Sequence, residues 1–421
     1  MKLNLLTVML LGSGLFLTAC GGSDDKGGNS STSTNVNADV NNIPNPVVNT
    51  PVPYKHKQDY PPNAAESVVM TYKMKGIKGQ ETQATALVFT PKTEPPAGGW
   101  PILAWAHGTV GVGDDCAPSR NRLIVEGGFL PDVHTQKMID SFVQAGYVVV
   151  APDYEGLGEP SENEPHPFLN LKSEAYSITD AVVATKSWLG NKASNKWAVA
   201  GLSQGGHAAL GAAQYAARAN MDYKGAVAIS PANNLEMIES ISDMNLTGRT
   251  LLGQILGYSV LDTLTAYMAA SMKSAYPTEP VYSIVFKSPT DKVAEKAESE
   301  CILGMANSLS NAMFAHLREN ENLENYPRKN AGYTQHPIVR QFLDKDFPPL
   351  QTVVKTPIII YQGDLDRVVL PLATDALVAQ ARALTTEIDY RKGPDWDHVG
   401  AFTANVDNGQ LIEDIKTLLA N

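Results

Sequence analysis

Short runs of wholly apolar residues alternate with segments of helical spacing along most of the chain. Such runs are typical of strands buried on both faces, and the helices between them favour parallel pairing. The pattern predicts an α/β fold with a mostly parallel central sheet. Its strands are predicted at 101–106, 147–151, 196–201, 225–230, 357–362 and 387–391, after an antiparallel pair at 67–74 and 82–90. Helices are predicted at 175–189 and at about 204–220.

One interval departs from this alternation. Residues 232–355 are mostly helical in pattern, whereas the link between neighbouring parallel strands normally needs a few loop residues and one helix. We interpret them as a lid or cap subdomain inserted into a core made of residues 54–231 and 356–421. Within it, 251–272 is predicted to be a packed cap helix. The alternative, a helix docked on a membrane, is disfavoured by Asp262 and two glycines.

The N-terminus has the layout of a secretory signal, with a short basic start and an apolar stretch at 5–17. Leu17-Thr18-Ala19-Cys20 resembles a bacterial lipobox, which implies removal of residues 1–19 and lipidation of Cys20; an ordinary signal with a chance cysteine is the alternative. Residues 20–53 are rich in Gly, Ser, Asn and Thr and are predicted to be a flexible tether. We therefore expect a lipid-anchored protein of the bacterial cell envelope, at the outer membrane or cell surface.

Composition narrows the possible partners. The 421 residues are 43% hydrophobic and 18% charged, which suits a globular protein with a large core. The net charge of −11 repels phosphate backbones and disfavours nucleic acid. With Cys20 assigned to lipid, Cys116 and Cys301 remain, and the residues alone allow either a disulfide or two buried thiols.

The strongest chemical motif is Gly201-Leu202-Ser203-Gln204-Gly205, which fits G-x-S-x-G. It lies directly between a predicted strand and a predicted helix, the context of a nucleophile elbow. The turn would expose the Ser203 hydroxyl, and the two glycines would let the strand and helix backbones approach. The backbone amide of Gln204 is then a candidate oxyanion donor.

A serine nucleophile needs a base, and the expected chain order is Ser, acid, His. Among eight histidines, His398 alone follows the last strand-like run, whereas His207 is interpreted as a packing or hydrogen-bonding residue on the elbow helix. Asp366, in the loop after strand 357–362, is the favoured acid. The alternatives are Asp364, or an Asp366 that only pairs with Arg367.

A second oxyanion donor is expected from the loop after strand 101–106. The sequence there is His107-Gly108-Thr109, in which Gly108 allows close backbone approach and the Thr109 amide is the candidate donor. His107 is assigned a supporting role in the loop. The alternative is a Gly-rich loop that only turns the chain.

Together these residues resemble the α/β-hydrolase fold, and more narrowly the secretory lipase family with its fungal lipase A-like enzymes. The resemblance covers about 54–421 and rests on His107-Gly108-Thr109, the C-A-P-S loop at 116–119, the elbow, Asp366, Asp397-His398 and the helical lid. In that family the C-A-P-S cysteine is tied to a lid cysteine, which implies a Cys116–Cys301 disulfide. The lipid anchor is a departure that leaves the natural substrate open.

The expected function is that of a serine carboxylic-ester hydrolase, a lipase or esterase acting through an acyl-enzyme. The resemblance implies acyl esters, triacylglycerols among them, as substrates. The alternatives are a serine peptidase or polyester depolymerase with the same triad, and a non-catalytic surface lipoprotein that binds a lipid or a partner. No cofactor is expected, because the histidines and cysteines show no metal-binding spacing. Acyl chain length and oligomeric state stay open.

Overall fold

Nine strands form one mixed sheet within the part of the chain that the computed structural model describes, residues 39–121, 132–158 and 164–420. Their order across the sheet is β1-β2-β3-β5-β4-β6-β7-β8-β9. The strands are β1 (Val52–Pro53), β2 (Ala64–Lys75), β3 (Glu81–Pro91), β4 (Trp100–Ala106), β5 (Val148–Pro152), β6 (Ala193–Leu202), β7 (Asp222–Ile229), β8 (Ile358–Gly363) and β9 (Ile388–Gly393).

The first strands pair antiparallel, from β1 through β2 and β3 to β5, and the rest of the sheet is parallel. Every residue of β5 and β8 is buried, as expected for strands covered on both faces. The α/β fold class predicted from the apolar runs is confirmed, including the antiparallel β2–β3 pair.

Helices cover both faces of the sheet. The α-helices are α1 (Asp132–Gln144), α2 (Leu171–Leu189), α3 (Gln204–Gln214), α4 (Leu235–Thr247), α5 (Leu251–Ala275), α6 (Val281–Val285), α7 (Thr290–Ala294), α8 (Ile302–Asn320), α9 (Pro337–Gln341), α10 (Pro371–Ala383), α11 (Gly400–Asp407) and α12 (Gln410–Ala420). Alternate strand residues enter two separate cores: Val150 belongs to the core that includes residues of α2, α3 and α10, whereas Val149 belongs to the core that includes residues of α1, α11 and α12. This alternation follows from the two-residue period of a strand.

Two predicted helix boundaries shift for local reasons. Helix α2 begins at Leu171 rather than 175, because the Asn170 side chain accepts a hydrogen bond from the Ser173 amide and caps the helix four residues earlier. Helix α3 ends at Gln214 rather than near 220, and a short 3-10 turn at Ala216–Ala219 completes the segment.

Six of the helices, α4 to α9, lie in the connection between β7 and β8 and share a second hydrophobic core, to which Val112, Phe168 and Leu169 also belong. Residues in the C-terminal half of α5 belong to that core, while Leu252 and Leu256 near its start are exposed. Asp262 of α5 is fully buried and pairs with Arg328 at 2.7 Å and Lys329 at 3.5 Å. In the described ranges, no helix is long and apolar enough to cross a membrane.

The end of the predicted tether lies on the domain. Asp39 pairs with Lys75 at 2.7 Å, the Asn41 amide donates to the Arg218 carbonyl, and Val52–Pro53 forms the edge strand β1. The packed part of the chain therefore starts earlier than the boundary at residue 54 that composition predicts. The cause is a handful of backbone and charge contacts, which low hydrophobicity does not reveal. The predicted signal, Cys20 and the tether as far as residue 38 lie outside the described residues.

A disulfide joins Cys116 to Cys301, which are 185 positions apart in the chain. The pairing implied by the resemblance is thus confirmed, and two free thiols are excluded. Beside it, the Ile302 amide donates to the Val110 carbonyl at 2.9 Å. The start of α8 is therefore fixed, covalently and by a hydrogen bond, to the loop that follows β4.

Candidate active site

The elbow lies at the carboxyl end of β6, where Ser203 links that strand to α3. Its backbone has φ 60° and ψ −115°, a conformation that side chains rarely adopt. A Cβ at Gly201 would overlap the Gly205 carbonyl, and one at Gly205 would overlap the carbonyl of Ala106. Glycine is therefore required at both positions, which explains the G-x-S-x-G spacing physically.

The structure brings Ser203, His398 and Asp366 together in one line. His398 Nε2 lies 2.9 Å from Ser203 Oγ, and His398 Nδ1 lies 2.8 Å from Asp366 Oδ2. The Asp366 side chain is fully buried, whereas that of His398 retains 12% exposure toward the cavity. Parallel pairing places β6, β7, β8 and β9 side by side, so the loops after β6, β8 and β9, which carry Ser203, Asp366 and His398, meet at one edge of the sheet.

Asp366 is held by a dense set of donors. Its Oδ1 accepts from the amides of Val368 at 2.8 Å and Val369 at 2.9 Å, and its Oδ2 accepts from Gln362 Nε2 at 3.2 Å. The Asp366 carboxylate therefore holds the His398 imidazole and also stabilises the loop that follows β8.

The alternatives for the acid are placed elsewhere. Asp364 is exposed and pairs with Lys392 at 3.1 Å. Arg367 makes no ion pair with any carboxylate of the described residues, so Asp366 is not merely its partner. Of the two carboxylates in this loop, Asp366 is the one that meets His398.

The two candidate oxyanion donors differ in how closely they are tied to the serine: Gln204 follows it directly, and Thr109 lines the same cavity. Gln204 is the first residue of α3, so its backbone N–H has no acceptor within the helix. Thr109 lines the same cavity as Ser203 and His398. His107 is buried, with Nδ1 2.7 Å from the Gly108 carbonyl and Nε2 3.3 Å from the Asp153 carbonyl. Burial lowers its pKa, and these contacts suit a role in holding the loop.

A buried, hydrogen-bonded pair of His207 and Glu174 lies beneath the elbow and was not predicted. His207 Nδ1 lies 2.6 Å from a Glu174 carboxylate oxygen, and Nε2 lies 2.8 Å from the Phe347 carbonyl, with every partner buried. Both ring nitrogens of His207 therefore face hydrogen-bond acceptors. His207 is thus a hydrogen-bonding residue, one of the two roles expected for it, and it links α2 and α3 to the end of the inserted segment.

The same network fixes the side chain next to the nucleophile. Gln204 Nε2 donates to Glu174 at 2.8 Å and to His166 Nε2 at 2.8 Å. His166 Nδ1 donates to the Glu155 carbonyl, and burial lowers the pKa of His166 to about 4, so this ring is neutral. The signal that sequence reasoning missed is Glu174 itself: a carboxylate on a helix buried on most sides requires a partner.

A cavity of about 590 Å³ opens over the serine and is lined mainly by apolar side chains. A second cavity of about 540 Å³ adjoins it, and the two share Val260, Leu264, Arg367 and Val368. Within the ranges described, no group of three His, Cys, Asp or Glu side chains is arranged to hold a metal ion.

An elbow serine at the end of a parallel strand, followed along the chain by an aspartate and then a histidine, defines the α/β-hydrolase class. Residues 123–393 match the family model described as serine aminopeptidase, S33, and the chain belongs to that family. It is a hydrolase of the α/β-hydrolase type.

Solved structures share this fold. The rice cell wall degrading esterase LipA of Xanthomonas oryzae has a TM-score of 0.63 at 20% identity, over 88% of this chain and 99% of that one. Candida antarctica lipase A in its closed state has a TM-score of 0.62 at 18% identity, over 87% and 82%. Among curated proteins, none matches the sequence.

Proposed function

We propose that the protein is a serine carboxylic-ester hydrolase that works through an acyl-enzyme at Ser203. The observation that carries the proposal is the hydrogen-bonded line from Ser203 to His398 to Asp366, at the floor of a mainly apolar cavity. An apolar cavity suits an acyl chain or another apolar part of an ester.

In the first half-reaction, Ser203 Oγ attacks the ester carbonyl while His398 Nε2 takes its proton. Asp366 accepts the Nδ1–H bond and stabilises the imidazolium. The backbone amides of Thr109 and Gln204 are the proposed donors to the oxyanion. When the tetrahedral intermediate collapses, the C–O bond to the alcohol breaks and His398 returns the proton to the leaving alcohol.

In the second half-reaction, water replaces the alcohol. His398 takes a proton from water as its oxygen attacks the acyl-enzyme carbonyl, and then gives that proton to Ser203 Oγ as the acid leaves. Donors, acceptors and charge are therefore restored after one turnover.

An ester is favoured over an amide by the lining of the cavity, and the folds of a lipase and an esterase support the same choice. A peptidase remains an outcome of the test because of the family's description. The lipid anchor at Cys20 and the cell-envelope location stay predictions of the sequence.

The test is Ser203→Ala, assayed on p-nitrophenyl esters, on p-nitroanilide amides of amino acids, and with a fluorophosphonate probe. We expect ester hydrolysis and labelling in the wild type and neither in the variant. Ser310→Ala, on α8 and outside both cavities, is the matched control and should retain both. Ester turnover that survives in Ser203→Ala would refute the proposal, and turnover of amides alone would favour the peptidase. A wild type that neither labels nor turns over any substrate would favour the non-catalytic alternative.

A further inference from the structure

Two arginines that line the cavities at the candidate active site have no carboxylate partner among the described residues. Most other arginines in the described part of the chain bind a carboxylate, as do Arg218, Arg328, Arg340 and Arg391. Arg249 and Arg367 are exposed and have none among the described residues. Arg318 and Arg382 likewise have no carboxylate partner among the described residues, so what distinguishes Arg249 and Arg367 is that both line one cavity.

Both arginines line the second cavity, and Arg367 lines the first as well. The wall common to the two cavities is otherwise apolar, made of Val260, Leu264 and Val368. An apolar segment that leaves the ester carbonyl at Ser203 would therefore follow this wall and end beside the guanidinium groups.

Of the two cavities, only the first is lined by a carboxylate. Asp397 lines the first cavity only, and its Oδ1 already accepts from the Gly400 amide at 2.7 Å. No aspartate or glutamate is among the residues that line the second cavity. The first cavity therefore holds one arginine and one carboxylate, whereas the second holds two arginines and no carboxylate, so an anionic group is attracted more strongly to the second.

The backbone at each arginine is held in place. The turn that carries Arg367 is fixed by Asp366, which accepts from the amides of Val368 and Val369. The Arg249 carbonyl accepts from Gln254 Nε2 at 2.9 Å, just before the Thr250 side chain caps α5. Both guanidinium groups therefore extend from fixed positions, which lowers the entropy lost on binding.

We propose that the second cavity is a carboxylate subsite, and that the preferred substrates are esters bearing a free carboxylate separated from the scissile ester by an apolar chain. Arg249 and Arg367 bind that carboxylate, with the planar donor geometry that guanidinium offers. This inference rests on the proposed function and names the substrate class of the same site.

The experiment compares two p-nitrophenyl esters of equal length. One is the mono-p-nitrophenyl ester of suberic acid, ionised at pH 7.5, and the other carries a neutral carboxamide in place of the free carboxylate. We expect kcat/KM for the acid to exceed that for the amide by about tenfold or more, because hydrogen bonds to charged groups give such factors. The preference should shrink as salt is added, since the arginines are exposed.

Arg249→Gln and Arg367→Gln should each reduce the ratio of the two kcat/KM values, and the double variant should bring it near one. Arg318→Gln is the control, because Arg318 lines neither cavity and should keep both the ratio and the activity. Equal rates on both esters in the wild type, or a preference that survives in the double variant, would overturn the subsite while leaving the esterase intact. Failure of both esters, together with an unlabelled Ser203, would instead remove the proposed function itself.

Discussion

Replacing Asp366 by Asn is the sharpest single perturbation of the proposed mechanism. The Asn oxygen must stay on the side of the Val368 and Val369 amides, which donate to Oδ1. Its NH₂ group then faces His398 Nδ1, which becomes an acceptor. The remaining ring proton moves to Nε2 and points at Ser203, so the ring no longer accepts the serine proton.

The magnitude follows from what is removed. General-base assistance contributes about 10²–10⁴-fold, and the lost carboxylate also stabilised the imidazolium. We expect kcat to fall by about 10³–10⁴-fold with little change in KM, because the aspartate does not line the cavity. The Asn NH₂ also opposes Gln362 Nε2, another donor, so unfolding becomes easier by about 1–3 kcal/mol.

The loss of activity is measured by steady-state hydrolysis of a p-nitrophenyl ester and by the rate of fluorophosphonate labelling. A thermal melt followed by circular dichroism shows that the variant is folded. Asp364→Asn is the control: this carboxylate is exposed and pairs with Lys392, and we expect activity within twofold of the wild type. A folded Asp366→Asn enzyme that loses less than tenfold would refute the assigned role of Asp366.

Two further predictions concern stability. Replacing Cys116 and Cys301 by Ser opens a loop of 185 residues and should lower the free energy of unfolding, measured in guanidinium, by up to about 5 kcal/mol. A reductant should lower the guanidinium midpoint of the wild type but leave that of the double variant unchanged. Burial raises the pKa of Asp153 to about 6 from 3.8, so the fold favours the neutral carboxyl. This preference contributes about 3 kcal/mol to the free energy of unfolding; the contribution is complete below pH 3.8 and is lost as the pH rises through 6. Asp153→Asn should flatten that pH dependence of unfolding, and an unchanged profile would contradict the assignment.

The elbow can be predicted from the sequence because all the residues it requires are close together in the chain. The two glycines, the strand before Ser203 and the helix after it are all contained within a few residues, so the motif predicts the turn directly. His398 and Asp366 follow from chain order and from the ends of predicted strands. The parallel pairing of apolar strands explains why that order brings them to one edge of the sheet.

The support beneath the site is not predictable in this way. Glu174 reaches His207 across 33 positions, and His207 reaches Phe347 across 140, with no repeating pattern to signal either contact. Gln362 lies in a predicted strand and resembles an ordinary polar end residue, yet it is fully buried against Asp366. Such contacts depend on tertiary packing, which residue type and spacing do not encode.

The disulfide also decides what a protease cut would do to the molecule. A cut in the exposed loop at 248–250 leaves Cys116 and Ser203 on one fragment, and Cys301, Asp366 and His398 on the other, still joined by the sulfur bridge. A cut near residue 321, past both cysteines, leaves the fragment with the acid and the base held by packing alone. The covalent continuity of the site therefore depends on which side of Cys301 the chain is opened.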